Sequence, residues 1–260
     1  MYSLEIVPKQ LDRLKFLPKK KFKDIFVAFI PGDSYLNIVE ASKSLLDLGY
    51  NPIPHIPART IISEDQLEDF LTKLDSIEVK ELLVIGGSPK KQEGPFSKTM
   101  DLFNTGLFRK YNFKINIAGH PEGNPDDAES DKNLLEKSKW LYENDFNFSI
   151  ITQWTLDIDK TNSWIIKIKN ELQKDDMGDN VDIKIGIAGP AKLTTLINYA
   201  KICGVSATAL IVRNKKFGLT KLVKHNPTDI VSGLENYDQL HFFPFGGIKE
   251  LNSWIEKEEG

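Results

Sequence analysis

Hydrophobic positions along this chain follow two alternating rhythms. Short apolar runs rich in β-branched and aromatic residues recur at 2–7, 24–30, 52–56 and 81–85, then at 114–118, 148–152, 182–188 and 239–243. Between them lie stretches with apolar residues at helical spacing, at 36–48, 64–74, 131–142, 164–172 and 192–202. Strands separated by helices predict βαβ units and a parallel sheet. Eight such strands in 260 residues predict an α/β fold, a single (β/α)8 barrel spanning residues 1–260 as one domain. Two features strain that expectation. Pro52 and Pro54 deny one neighbouring strand two ladder donors, which suits a central strand poorly. The last connection also carries an extra apolar run at 207–212 and a helix-like stretch at 227–234.

A parallel barrel collects its βα loops at the C-terminal rim, where active sites form. The most polar and Gly/Pro-rich segments, 89–95 and 119–131, each follow a predicted strand and so belong to that rim. Composition narrows the field further. The net charge is −3, from 34 basic and 37 acidic side chains, so no global positive field exists to hold a nucleic-acid backbone. No apolar run approaches the ~20 residues that span a bilayer, and the N-terminus lacks the basic and then apolar pattern of a secretory signal. A cytoplasmic location is expected, with no membrane partner; self-association into a homo-oligomer is left open. Cys203 is the sole cysteine, which excludes an internal disulfide, and it reads as a small buried thiol. The four histidines show no paired close spacing, so no metal site is expected.

Strand parity singles out Glu5. Leu4 and Ile6 share one face of the first strand, and Ser3, Glu5 and Val7 share the other. The apolar face belongs against the helices, so Glu5 is expected inside the barrel. Burial there raises a carboxyl pKa and would make Glu5 a proton donor; an internal ion pair with Lys or Arg is the alternative. By the same parity Ser149, Ile151 and Gln153 share a side, which puts the Gln153 amide at the rim as a partner for a flat heterocycle or as a loop tie. Trp154 adjoins it and could stack on a ring. The turn Gly86-Gly87-Ser88 allows close backbone approach to a flat or anionic ligand, or is simply a tight βα turn. His120 and Glu122 suit acid–base work or ribose and phosphate binding, though Pro and Gly there are also ordinary rim punctuation. His55, followed by Arg59, ends the third strand as an anion ligand or a core histidine.

Taken in order, these fragments resemble the catalytic barrel of methylenetetrahydrofolate reductases across nearly the whole chain. Leu4-Glu5-Ile6-Val7-Pro8 is similar to the family's opening F-E-[FI]-x-P in all but its first position. Pro54-His55 matches the third strand end, and Ala118-Gly-His-Pro-Glu-Gly-Asn-Pro125 is similar to A-x-Y-P-E-x-H-P. Ile151-Thr-Gln-Trp154 matches I-T-Q and an aromatic, and His241-Phe-Phe243 resembles the final H-F-[YF]. The resemblance implies NAD(P)H reducing a bound FAD, which then reduces 5,10-methylenetetrahydrofolate to 5-methyltetrahydrofolate. It implies Glu5 as the acid that protonates N10 and Gln153 as the pterin ligand, with Ser88 and Trp154 on the substrate side. It further implies flavin contacts from His55, Gly86, Gly87, Ser88, His120, Glu122, Asn124 and Lys139. The departures cluster on the flavin side. Gly86-Gly87-Ser88 replaces the usual Arg-Gly-Asp, removing a negative charge near the redox centre. His120 stands for a tyrosine, Asn124 for a histidine and Ile30-Pro31 for Thr-Tyr. A flavin-independent, tetrahydrofolate-dependent methyl- or methylene-transfer enzyme, or a non-catalytic folate-binding protein, is therefore the competing expectation.

Overall fold

A computed structural model describes residues 1–88, 92–177, 181–203, 205 and 224–259. Eight parallel strands close into one barrel, a TIM barrel with helices outside. They are β1 (Tyr2–Ile6), β2 (Phe22–Val27), β3 (Asn51–Pro57), β4 (Glu81–Ile85), β5 (Lys114–Gly119), β6 (Phe148–Thr155), β7 (Asp182–Ala188) and β10 (Gln239–Phe243). A two-stranded antiparallel sheet of β8 (Ala191–Lys192) and β9 (Lys224–His225) stands outside the barrel. The described helices are α1 (Tyr35–Asp47), α2 (Glu64–Ser76), α3 (Thr99–Asn104), α4 (Ser130–Glu143), α5 (Ile158–Lys174), α6 (Leu193–Cys203), α7 (Thr228–Gly233) and α8 (Ile248–Glu259). The apolar run at 207–212 lies outside the described residues, and the helix-like stretch at 227–234 forms α7. Where a helix would follow β1, the chain makes a 3-10 turn from Pro8 to Phe16.

Local chemistry starts the outer helices. Ser34 caps α1 by accepting from the Leu36 amide at 3.2 Å, and Ser63 caps α2 from the Gln66 amide at 3.1 Å. Each helix then turns one stripe inward, Ile38, Ala41 and Leu45 in α1 and Leu67, Phe70, Leu71 and Leu74 in α2. These join the outward-facing strand residues in one large core, while Phe26, Ile53, Leu83 and Ile151 form a separate small core inside the barrel.

Below that inner core lies a polar floor. Asn51 donates to Asp24 at 2.9 Å and to Glu81 at 3.2 Å, and Asn116 reaches Glu81 at 3.3 Å. The Lys184 ammonium stands 4.0 Å from Glu81 and 5.6 Å over the Phe26 ring. Asn51 thereby ties β3 to both neighbours where the prolines weaken the ladder. The β3–β4 register runs only from His55 to Pro57, beyond Pro52 and Pro54. The prolines thus occupy a central strand after all: the β2 ladder runs through them from Asn51 to Pro54, and on the β4 side the Asn51 side chain bridges to Glu81.

One irregularity shapes the rim. Ile151 pairs with Lys184 and Trp154 with Gly186, so β6 spends three residues where β7 spends two. This bulge carries the β6 backbone across position 186: a Cβ there would lie 2.6 Å from Thr152 O and 2.7 Å from Trp154 N. The Gly186 amide donates to Thr152 Oγ1 at 2.8 Å and fastens the bulge. Gly186→Ala is accordingly expected to cost about 1–3 kcal/mol by overpacking. A thermal midpoint equal to wild type would show that the bulge does not depend on the missing side chain.

Candidate functional site

Glu5 sits where parity puts it, inside the barrel, across from Phe26 on β2. Its Oε2 lies 3.5 Å from His55 Nε2 and 3.6 Å from His241 Nε2. Both separations are long for hydrogen bonds, and neither ring nitrogen has a bonded partner among the described residues. His241 reaches this position because barrel closure pairs β10 with β1 and sets Ser3 beside it. The Ser3 hydroxyl stands 3.1 Å from His241 Nδ1. Phe26 and Phe243 meet the His241 ring edge-on, at 4.7 and 4.8 Å. Among the described residues no lysine or arginine is paired with Glu5, so the ion-pair alternative takes an unexpected form, a carboxylate between two imidazoles.

That neighbourhood reverses the expected protonation. Burial pulls the Glu5 pKa up, but the charge of His55 and the approach of the His241 and His55 ring nitrogens outweigh it, leaving the carboxyl at about 2. Burial lowers His241, only partly offset by Glu5. Glu5 is therefore ionised at neutral pH. The expectation of a neutral acid fails because parity reports burial and is silent about which groups share the interior.

The other nominated residues separate. His55 joins Glu5, and His241, nominated only through the resemblance and not as a site residue, completes the cluster. The signal for His241 was the inward parity of the last strand combined with closure onto the first. Gln153 falls within the bulge, so simple alternation fails there and Trp154 takes the place opposite Gly186. The Gln153 Oε1 accepts from the Trp154 amide at 3.1 Å. Trp154 is not an open stacking platform: it is 1% exposed and meets Phe245 edge-on at 5.3 Å. Phe245 in turn stacks on Tyr199 at 4.2 Å and on Phe243 at 5.6 Å, forming an aromatic wall beside the mouth. Cys203 lies against this wall. Its thiol is raised by burial, eased by the Trp154 indole and raised again by Glu5, so it stays protonated.

Several residues nominated for a flavin are occupied by the protein itself. Gly87 has a φ of +81°, and a Cβ on Gly86 would meet Arg59 Nη1 at 3.2 Å. Arg59 fills the close approach that the glycines offer, donating to Gly87 O at 2.7 Å, and the half-buried Ser88 follows. Glu122 is spent on the β6–α5 loop: one oxygen accepts from Thr155 Oγ1 at 2.8 Å, Leu156 N at 2.5 Å and Asp157 N at 3.0 Å. Asn124 turns its own loop by accepting from Asp126 N. Lys139 lies on the solvent face of α4, 3.9 Å from Glu143, and is corrected as a ligand candidate. The α4 lysine turned toward the His120 loop is Lys137, one turn-face away. Burial lowers Lys137 to about 8, against Asp127 and Glu136. Burial and then Lys137 lower His120 to about 4, against Asp127 and Asp131.

Among the described residues, two surface cavities of about 510 and 390 Å³ lie away from Glu5. The first is under the N-terminal ends of β5 and β6, the second between the His120 loop and the start of α4. No group of described His, Cys, Asp or Glu residues is arranged to hold a metal ion, and no described helix is long and apolar enough to cross a membrane.

No family model matches the sequence. Among solved structures, the chain is similar to an uncharacterised protein from Clostridium thermocellum that binds two copies of 5-methyl-5,6,7,8-tetrahydrofolic acid, with a TM-score of 0.66 and 10% identity over 100% of this chain and 94% of that one. It is also similar to the apo form of a protein assigned as a deoxyribose-phosphate aldolase from Toxoplasma gondii ME49, with a TM-score of 0.52 and 11% identity over 98% and 93% of the two chains. At these identities the likeness establishes the barrel fold.

Two of the depressed groups, His120 and Glu5, act on acid stability in a defined order. His120, ordinarily near 6.5 and here near 4, stays neutral while the unfolded chain takes up its proton. Stability from this residue is full above pH 6.5 and drains as pH falls toward 4. Glu5, ordinarily at 4.5, contributes fully above that pH and loses its contribution as pH falls toward 2. Denaturant titrations of His120→Asn are expected to show a smaller stability loss between pH 6.5 and 4, and Glu5→Gln a smaller loss only below pH 4.5. Unchanged profiles in both variants would refute the assignment.

Proposed function

We propose that this barrel binds a reduced folate carrying a one-carbon unit at its C-terminal mouth, against Glu5, His55 and His241, and that it does so without a resident flavin. The observation that carries the reading is the carboxylate held between two imidazoles on the mouth side of the apolar plug inside the barrel. It is supported by the folate-bound barrel from Clostridium thermocellum, which this chain matches over its full length, and by the persistence of Glu5 and Gln153 from the resembled family. The class of chemistry that follows is tetrahydrofolate-dependent methyl or methylene transfer, or folate capture.

Reduction of 5,10-methylenetetrahydrofolate by NAD(P)H through FAD is the second reading, favoured by the order of the sequence fragments. FAD would supply hydride from its reduced ring. The residues put forward to hold it fit poorly, since Arg59 fills the Gly86-Gly87 turn, Glu122 already accepts three hydrogen bonds and Lys139 faces solvent. The proton that ring opening needs is also missing from Glu5, which is ionised.

Calorimetric titration with 5-methyltetrahydrofolate, followed by an absorbance spectrum after FAD is added and free flavin removed, separates the readings. Saturable folate binding with no retained band near ~450 nm is expected. A retained flavin band with NAD(P)H-dependent bleaching would establish the reductase instead, and failure to bind any reduced folate would refute both.

A further inference from the structure

The Glu5 carboxylate is under-used by its own protein. His55 and His241 approach the same oxygen, Oε2, and no described residue hydrogen-bonds Oε1. The side chain is 22% exposed, toward the mouth. Behind it, Ser3 and His241 form a directed pair. A neutral imidazole beside an anion places its hydrogen on the nitrogen facing the charge, here Nε2. Nδ1 is then an acceptor, and Ser3 is the donor that satisfies it. The remaining titratable neighbours are His55 from β3, Lys184 from β7 and Cys203 from α6. Phe26 and Phe243 close the sides. Among the described residues nothing in this shell gives Oε1 a strong donor, which leaves it open to a group entering at the mouth.

We propose that Glu5 accepts, at Oε1, a hydrogen bond from an N–H donor of a flat heterocycle, with His241 and Ser3 as the positioning pair that aims it. This rests on the folate reading and sharpens it. A reduced pterin carries a ring N–H next to an exocyclic amino group, and either can donate a charge-assisted hydrogen bond to Oε1. Glu5 then holds the pterin and gives up no proton, in contrast to the acid role that the resemblance implies.

The test combines calorimetry with spectra of the ligand-free protein. For 5-methyltetrahydrofolate, Glu5→Gln is expected to weaken binding roughly tenfold or more, the usual effect of losing a charged acceptor. Ser3→Ala should weaken it several-fold and Ser3→Thr, which keeps the hydroxyl, should restore it. Nitrogen-15 spectra of the wild type should show the His241 hydrogen on Nε2, and carbon-13 spectra should show Glu5 ionised at pH 5; neither measurement requires a variant to fold. Unchanged affinity in Glu5→Gln overturns the inference while leaving folate binding intact. If wild type binds no reduced folate, the functional reading fails separately, and titration with the fragment 2-aminopyrimidin-4-one decides the inference. A shift of the Glu5 signal by the fragment sustains it; an unmoved signal, or a Glu5 protonated at pH 5, overturns it.

Discussion

Closing eight parallel strands into a cylinder leaves the inward side chains no outlet except the two ends. Every alternate residue of every strand must then be accommodated inside, and the polar ones must find partners there or face one mouth. In this protein the N-terminal end is filled by Asp24, Asn51, Glu81, Asn116 and Lys184, and a plug of Phe26, Ile53, Leu83 and Ile151 lies above them. Glu5 stands on the far side of that plug, with water on one side only. Its ionisation is decided by a contest between desolvation and two imidazoles, and the imidazoles prevail.

The rim shows how much polar chemistry a barrel consumes in holding its own loops. Glu122 fastens the loop after β5 to the start of α5, and Arg59 clasps the turn after β4. Gly186 lets the β6 backbone bulge, which moves Trp154 into the aromatic wall. Among the described residues, Glu122 and Arg59, which look available in the sequence, are thereby engaged, while Glu5 and its histidines keep open chemistry at the mouth.

That open chemistry bears on the kind of reaction the site can support. A carboxyl kept neutral by burial donates protons, whereas one kept charged by imidazoles accepts hydrogen bonds and orients cationic or N–H-bearing groups. The same residue at the same strand position can therefore serve either role, and the choice lies with neighbours contributed by β3 and β10.

The amino-acid sequence by itself determined the barrel, since the strand pattern is local and recurs eight times, with helical spacing between many of the strands. It also determined that Glu5 points inward, because alternation on a regular strand needs no knowledge of partners. Even the central placement of β3 ran against its prolines only until Asn51 could bridge Asp24 and Glu81, two residues distant in the chain. Tertiary structure alone decided the rest. His241 meets Glu5 from 236 positions away through barrel closure, and the bulge opposite Gly186 breaks the alternation on which the placement of Gln153 depended. Lys139 and Lys137 differ only in which side of α4 faces the protein. Protonation, occupancy and access are properties of neighbours, and neighbours are brought together only when the sheet closes.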